Sequence, residues 1–124
     1  MKVVEAKNGT AMLTTFNEVD MSSVMEIREK EKDRFLEKHG VKLGFMSFFV
    51  KACVSALKSY PMINSYIDGD EIVSFSHMDV SVAVSTEKGL MVPVIRSAEN
   101  LSFSQIEQEL GLLSKKAREG KLSI

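Results

Sequence analysis

Tryptophan is absent from the 124 residues, which include one cysteine, two prolines and two histidines. A lone thiol, Cys53, excludes an internal disulfide and any multi-cysteine metal site. Its place in an apolar stretch predicts an inert buried thiol rather than a nucleophile. With only His39 and His77 available, conventional catalytic sets are thin. No HExxH, GxSxG, GxxxxGKS/T or GxGxxG spacing occurs. Charge of one sign is lacking too: 16 basic against 17 acidic side chains leave a net charge of −1. Without a basic run or an aromatic RNA-binding signature, nucleic acid is not an expected partner. No apolar stretch approaches the roughly 20 residues that span a bilayer, and no signal core opens the chain. The expected location is cytoplasmic in a bacterium, or the mitochondrial matrix in a eukaryote. Eight methionines carry no functional reading.

What is present suffices for one domain, and a chain of this length buries roughly two-thirds of its unfolded surface. The most informative stretch is LGFMSFFVKACVSA, Leu43 to Ala56. At 100° per residue, Phe45, Met46, Phe48, Phe49, Val50, Ala52, Cys53, Val54, Ala56 and Leu57 cover roughly three-quarters of a helix circumference. Ser47, Lys51, Ser55 and Lys58 form the polar strip. Such a helix predicts neighbours on several sides.

Residues 1–9 read as a tail or the end of a linker. Thr10 to Val19 is β-rich and predicts a strand. Asp20 is the expected N-cap of a helix running to about Lys38, stopped by Gly40. Within it Glu26 and Lys30 stand at a favourable spacing on a solvated face. The apolar helix, about Phe45 to Ser59, ends at Pro61. A strand near Asn64 to Ile67, an Asp68-Gly69 turn and a strand from Glu71 to Phe75 form a hairpin. Val80–Val84 and Leu90–Ile95 read as strands joined by the loop STEKG. Neither alternates cleanly, so cover is expected on both faces. Pro93 belongs at an edge, a bulge or an irregular spot. A last helix, about Phe103 to Glu119, is capped by Ser102 and carries a stripe of Phe103, Ile106, Leu110, Leu113 and Ala117. The fold class is α/β, in two layers of α+β character. The inventory leaves more apolar surface than its own helices cover, which implies part of a larger domain or one member of an intimate oligomer.

Few residues invite chemistry. His39 and His77 read as surface or capping histidines, and Asp68, Asp70 and Glu71 as turn chemistry. Arg28 stands out, because it projects from the apolar stripe of Met21, Val24, Met25, Phe35 and Leu36. A guanidinium there needs an anionic or hydrogen-bonding partner, with a snorkelling side chain or an internal ion pair as the plainer reading. Ser85 and Thr86 lie in the STEKG loop, which also reads as a simple hairpin connection.

The stretches AMLTTFNEVDMSSVMEIRE, HGVKLGFMSFFVKACVSALKSYP, DVSVAVSTEKGLMVPVIR and KKAREGKL resemble successive landmarks of one family. It is the catalytic domain of the dihydrolipoyl acyltransferases, core components of 2-oxo acid dehydrogenase complexes. TTFNEVDM and HGVKLGFMSFF are most similar to the succinyltransferase branch of the 2-oxoglutarate dehydrogenase complex. The resemblance implies a chloramphenicol-acetyltransferase-like fold, a mixed sheet packed by helices, with residues 10–124 forming the N-terminal half of the domain. It further implies succinyl transfer from dihydrolipoyl, carried on a separate domain, to coenzyme A, with no metal. The implied partners are a homotrimer building a larger core, and the 2-oxoglutarate dehydrogenase and dihydrolipoyl dehydrogenase components.

The family's catalytic histidine and aspartate lie in a DHRxxDG motif, which these residues do not contain. The resemblance implies that this motif falls beyond Ile124. His39 and His77 sit in KHG and SHM, so no catalytic residue is assigned in this chain, and it is expected to be inactive alone. A non-catalytic assembly module of the same fold is the alternative. The resemblance carries coenzyme A contacts onto Arg28, Ser85 and Ser114. A serine of another member falls on Gly44, which has no side chain, and Glu87-Lys88 replaces a frequent Pro-Arg.

Overall fold

The computed structural model describes residues 11–121. The expected tail at 1–9 therefore lies outside the described residues, as does Ile124, the expected limit of the half-domain. Helix α1, Ser22–His39, follows an irregular segment. Asp20 caps it from one position further out than expected. Its Oδ1 accepts the Ser22 hydroxyl at 2.6 Å and the Ser22 N–H at 3.0 Å, while Met21 holds the N-cap position. Gly40 ends the helix in the left-handed region, φ 70°, with its N–H on the Leu36 carbonyl, a conformation that favours glycine. Glu26 and Lys30 pair at 3.2 Å, both well exposed.

The strand expected over Thr10 to Val19 is absent from its described part. Residues 11–21 are irregular, and Leu13 and Phe16 are 88% and 95% exposed. A strand exists only with a neighbour to bond, and none runs beside this segment among the described residues.

Helix α2, Met46–Ser59, buries one stripe, Ser47, Val50 and Val54. The apolar pattern predicted cover nearly all round. Instead Phe45, Met46, Phe49, Ala52 and Ala56 face outward, and Cys53 is exposed rather than buried. The helix has the predicted composition; the described residues supply cover on one side only.

After a 3-10 turn at Pro61–Ile63 comes a hairpin of β1, Ser65–Asp68, and β2, Glu71–Ser74. Asp68 pairs with Glu71, so the two loop residues are Gly69 and Asp70, one later than expected. Gly69 takes the positive φ, 62°, that opens the turn.

The expected long strands are each cut in two, as β3 Val80–Ser81, β4 Val84–Thr86, β5 Gly89–Met91 and β6 Val94–Ile95. β3 pairs with β6 and β4 with β5, both antiparallel and in one continuous register. The break falls at Pro93, which has no N–H to return to Val82, although Val82 donates to its carbonyl at 3.1 Å. Val80, Val82 and Val84 are half-buried while Ser81, Ala83 and Ser85 are exposed. Here the expectation of two covered faces gives way to one covered face among the described residues.

A 3-10 turn at Ala98–Asn100 leads into α3, Phe103–Arg118. Ser102 accepts the Gln105 N–H while the Gln105 side chain accepts the Ser102 N–H, a complete capping box. The core gathers Val50 and Val54 of α2, Ile95 of β6, Ala98, and Ile106 of α3, with Leu110 and Leu113 packed against it. Burial of side chains such as Ile95 and Ile106 favours folding by roughly 1.5–3 kcal/mol each. α2 and α3 thus form one layer over the interrupted hairpin.

Candidate functional site

Arg28 lies in the middle of α1, a helix with no buried residue. Its Nε donates to the Leu43 carbonyl at 2.7 Å, and its guanidinium stands 5.2 Å from the centre of the Phe45 ring. Among the described residues the terminal guanidinium nitrogens make no ion pair, so they are directed to no protein anion. The hydrogen-bonding partner that sequence reasoning demanded is therefore a main-chain carbonyl.

Leu43 opens the turn into α2, and that turn is held from α3. The Gly44 N–H donates to Glu107 Oε2 at 2.6 Å, and the Ser47 hydroxyl donates to the same oxygen at 2.7 Å. Glu107 and Ser47 are both buried. A cavity of about 370 Å³ lies beside them. It is lined by the 44–46 turn, the 82–84 segment, Leu110 and Gly111, with Glu107 and Ser114 as its polar side chains. A Cβ on Gly44 would meet both Glu107 carboxylate oxygens at 3.5 Å, an ordinary contact. Space for a side chain therefore exists where another member carries serine.

Ser85 belongs to a different depression, also of about 370 Å³, lined by Thr86, Glu87, Lys88 and Arg118. Thr86 shapes this hairpin tip by donating its hydroxyl to the Gly89 carbonyl and accepting the Lys88 N–H. The structure thus brings Ser114 and the Gly44 turn to one cavity, ties Arg28 to it through Leu43, and sets Ser85 in a second depression.

The histidines join no catalytic set. His39 packs on Phe35 with centroids 4.7 Å apart, and His77 Nε2 lies 3.4 Å from Asp79 Oδ2. The DHRxxDG histidine and aspartate, expected beyond Ile124, fall outside the described residues, which run to Lys121. Asp68, Asp70 and Glu71 surround the β1–β2 turn. Among the described residues no group of three or more His, Cys, Asp or Glu could hold a metal ion.

Sequence reasoning missed Glu107 and Arg118, and noted Lys88 only as part of the Glu87-Lys88 that replaces a frequent Pro-Arg. A signal for Glu107 was present: Glu107, Leu110, Gly111 and Ser114 recur at i, i+3, i+4 and i+7 of one helix face.

The model of the 2-oxoacid dehydrogenases acyltransferase (catalytic domain) family matches residues 1–124. The chain belongs to this family. It is 57% identical over 123 residues to the dihydrolipoyllysine-residue succinyltransferase component of the 2-oxoglutarate dehydrogenase complex of Rickettsia typhi. With that of Bacillus subtilis the identity is 53% over 123 residues. Each match takes in 99% of this chain but only 30–31% of the relative. Among solved structures, Azotobacter vinelandii dihydrolipoamide acetyltransferase superposes with a TM-score of 0.86 at 32% identity, covering 98% of this chain and 50% of that one. The cubic core of a pyruvate dehydrogenase multienzyme complex gives 0.85 at 31%, covering 97% and 50%. The fold is accordingly that of the chloramphenicol-acetyltransferase-like catalytic core, and the members of this family are acyltransferases.

Proposed function

We propose that this chain is part of the acyltransferase core component of a 2-oxoglutarate dehydrogenase complex. The reaction is succinyl transfer from S-succinyldihydrolipoyl-lysine to coenzyme A. One observation carries the choice of acyl group: identity of 50–57% to succinyltransferase components against 32–34% to solved dihydrolipoamide acetyltransferases. In that reaction the coenzyme A sulfur attacks the thioester carbon, a new thioester forms and the dihydrolipoyl thiol departs. The family's DHRxxDG histidine removes the proton from the attacking thiol, and a polar side chain steadies the oxyanion. Neither group is among these residues; this chain's part is to bind and orient coenzyme A.

Residues 10–124 act as the N-terminal half of the catalytic domain, beginning after a tail or linker end at 1–9. Arg28 is assigned to the nucleotide phosphates, since its terminal nitrogens have no protein acceptor among the described residues and guanidinium suits phosphate oxygens. Ser85 and Ser114 contribute polar contacts to the same substrate. The lipoyl group arrives on a separate domain, and no metal takes part. The working assembly is a homotrimer within a larger core, served by 2-oxoglutarate dehydrogenase and dihydrolipoyl dehydrogenase components. It acts in the bacterial cytoplasm or the mitochondrial matrix. Among the described residues no helix is long and apolar enough to cross a membrane.

The test is Arg28→Ala in the complete enzyme. A charge-assisted contact is worth roughly 1.5–3 kcal/mol, so coenzyme A affinity should fall about tenfold or more, with dihydrolipoyl binding unmoved. Unchanged coenzyme A affinity would return Arg28 to the snorkelling reading.

A further inference from the structure

Glu107 is a carboxylate only 9% exposed, and burying such a group is costly unless it is hydrogen-bonded. Its partners are two neutral donors that converge on one oxygen, the Gly44 N–H and the Ser47 hydroxyl. These donors belong to the turn that begins α2. The residue before them, Leu43, is buried, and its carbonyl is the acceptor that holds Arg28 Nε. Phe45, in the same turn, places its ring against the guanidinium.

A continuous hydrogen-bonded path therefore leads from α3 through the turn to α1. It joins residues 63 apart in sequence at its first step and 15 apart at its second. Because α1 buries no side chain of its own, packing does little to fix where Arg28 points. The Leu43 carbonyl does that, and the carbonyl is only as fixed as its turn. With Nε committed to Leu43, the remaining guanidinium nitrogens are oriented as a group toward whatever anion approaches.

We infer that Glu107 is a positioning residue for coenzyme A, acting through the Leu43–Ser47 turn on Arg28. The inference rests on the assignment of Arg28 to coenzyme A given above. Charge alone would work against binding, since a carboxylate near the site repels phosphate. Removing it is therefore expected to weaken binding only if geometry is what it supplies.

The experiment uses the complete enzyme, with KM and kcat measured for both substrates and coenzyme A affinity by calorimetry. Glu107→Leu should raise the coenzyme A KM roughly tenfold while leaving kcat and the KM for the succinyldihydrolipoyl substrate unchanged. In Glu107→Gln one amide oxygen can accept both donors, so the KM should recover to within roughly threefold of the parent. Arg28→Ala combined with Glu107→Leu should bind coenzyme A no more weakly than Arg28→Ala alone, since both act on one contact. Should Glu107→Leu fail to fold, Ser47→Ala removes one donor and is expected to raise the KM roughly threefold. Additive losses, a Gln variant as impaired as the Leu variant, or an unmoved KM beside a weakened Arg28→Ala would overturn this inference alone. An Arg28→Ala enzyme with parental affinity would overturn the Arg28 assignment, and the positioning role with it.

Discussion

Phe48 of α2 and Phe103 of α3 meet in a tilted aromatic pair, with centroids 4.9 Å apart and planes inclined at 60°. Phe103 is the first residue of α3, directly after the Ser102 cap, so the pair locks the start of that helix against α2. Lys51 adds its ammonium 5.7 Å from the same ring. Tilted pairs of this kind are worth about 0.5–1.5 kcal/mol beyond the area they bury. A double-mutant cycle with Phe48→Leu and Phe103→Leu, read by urea denaturation, should return a coupling energy in that range. A coupling indistinguishable from zero would mean that the rings contribute burial only.

Asp20 gives the start of α1 a dependence on acid. The Ser22 hydroxyl, and after it the Ser22 N–H, hold the Asp20 carboxyl below its usual value, outweighing a small opposing effect of burial. A carboxylate whose folded pKa is depressed stabilises the fold above its unfolded pKa, and that contribution disappears as pH falls through the folded value. The first turn of α1 should therefore loosen on the acid side of the ordinary carboxylate range. Nuclear magnetic resonance of the Ser22 amide should follow the titration, and Asp20→Asn should flatten it. A Ser22 amide indifferent to pH over that span would contradict the assignment.

Catalysis offers a direct check on the division of labour within the domain. The purified 124-residue chain should not succinylate coenzyme A above background, because neither His39, packed on Phe35, nor His77, beside Asp79, lies in a DHRxxDG motif. Loss of a general base alone typically costs roughly 10²–10⁴ in rate. Turnover by mass-verified material that disappears with His39→Ala or His77→Ala would show that a base resides here after all.

What could be read from the sequence follows the range of the interactions involved. The Ser102 cap, the Gly40 stop and the stripe of Ile106 and Ala117 are set by short-range sequence pattern. Pattern alone located them. The β1–β2 turn, equally local, moved by only one residue because Asp68 completes a pair with Glu71. The α3 face hinted at Glu107, but its pairing with Gly44 and Ser47 was not legible, since these donors lie 63 and 60 residues away and neutral donors leave no charge pattern. The strand expected over Thr10 to Val19 failed for a related reason. Its composition favours extended backbone, but a ladder is decided by the neighbour. The interruption at Pro93 was foreseen as an irregularity, yet its effect on the facing Val82 and Ala83 depended on a register that only the folded hairpin supplies.

Exposure of α2 yields the last prediction. Phe45, Met46, Phe49, Tyr60, Met62 and Ile63 are between 37% and 73% exposed, and Cys53 stands on the same helix, also exposed. Around the β1–β2 hairpin Tyr66, Ile67, Ile72 and Phe75 are exposed as well. Contiguous patches beyond a few hundred Å² are rare on soluble monomers. The solved catalytic chains that this fold matches are twice as long, since it covers 50% of each, so more domain is available there to lie over such a face. The isolated 124 residues should therefore associate or aggregate at micromolar concentration, bind a dye specific for exposed apolar surface, and let a thiol reagent modify Cys53 rapidly. In the complete catalytic domain the same cysteine should react slowly, and dye binding should drop. Light scattering and timed labelling of both proteins make the comparison. A stable, dye-negative monomer, or equal Cys53 labelling rates in the two, would show that the outward face of α2 needs no cover.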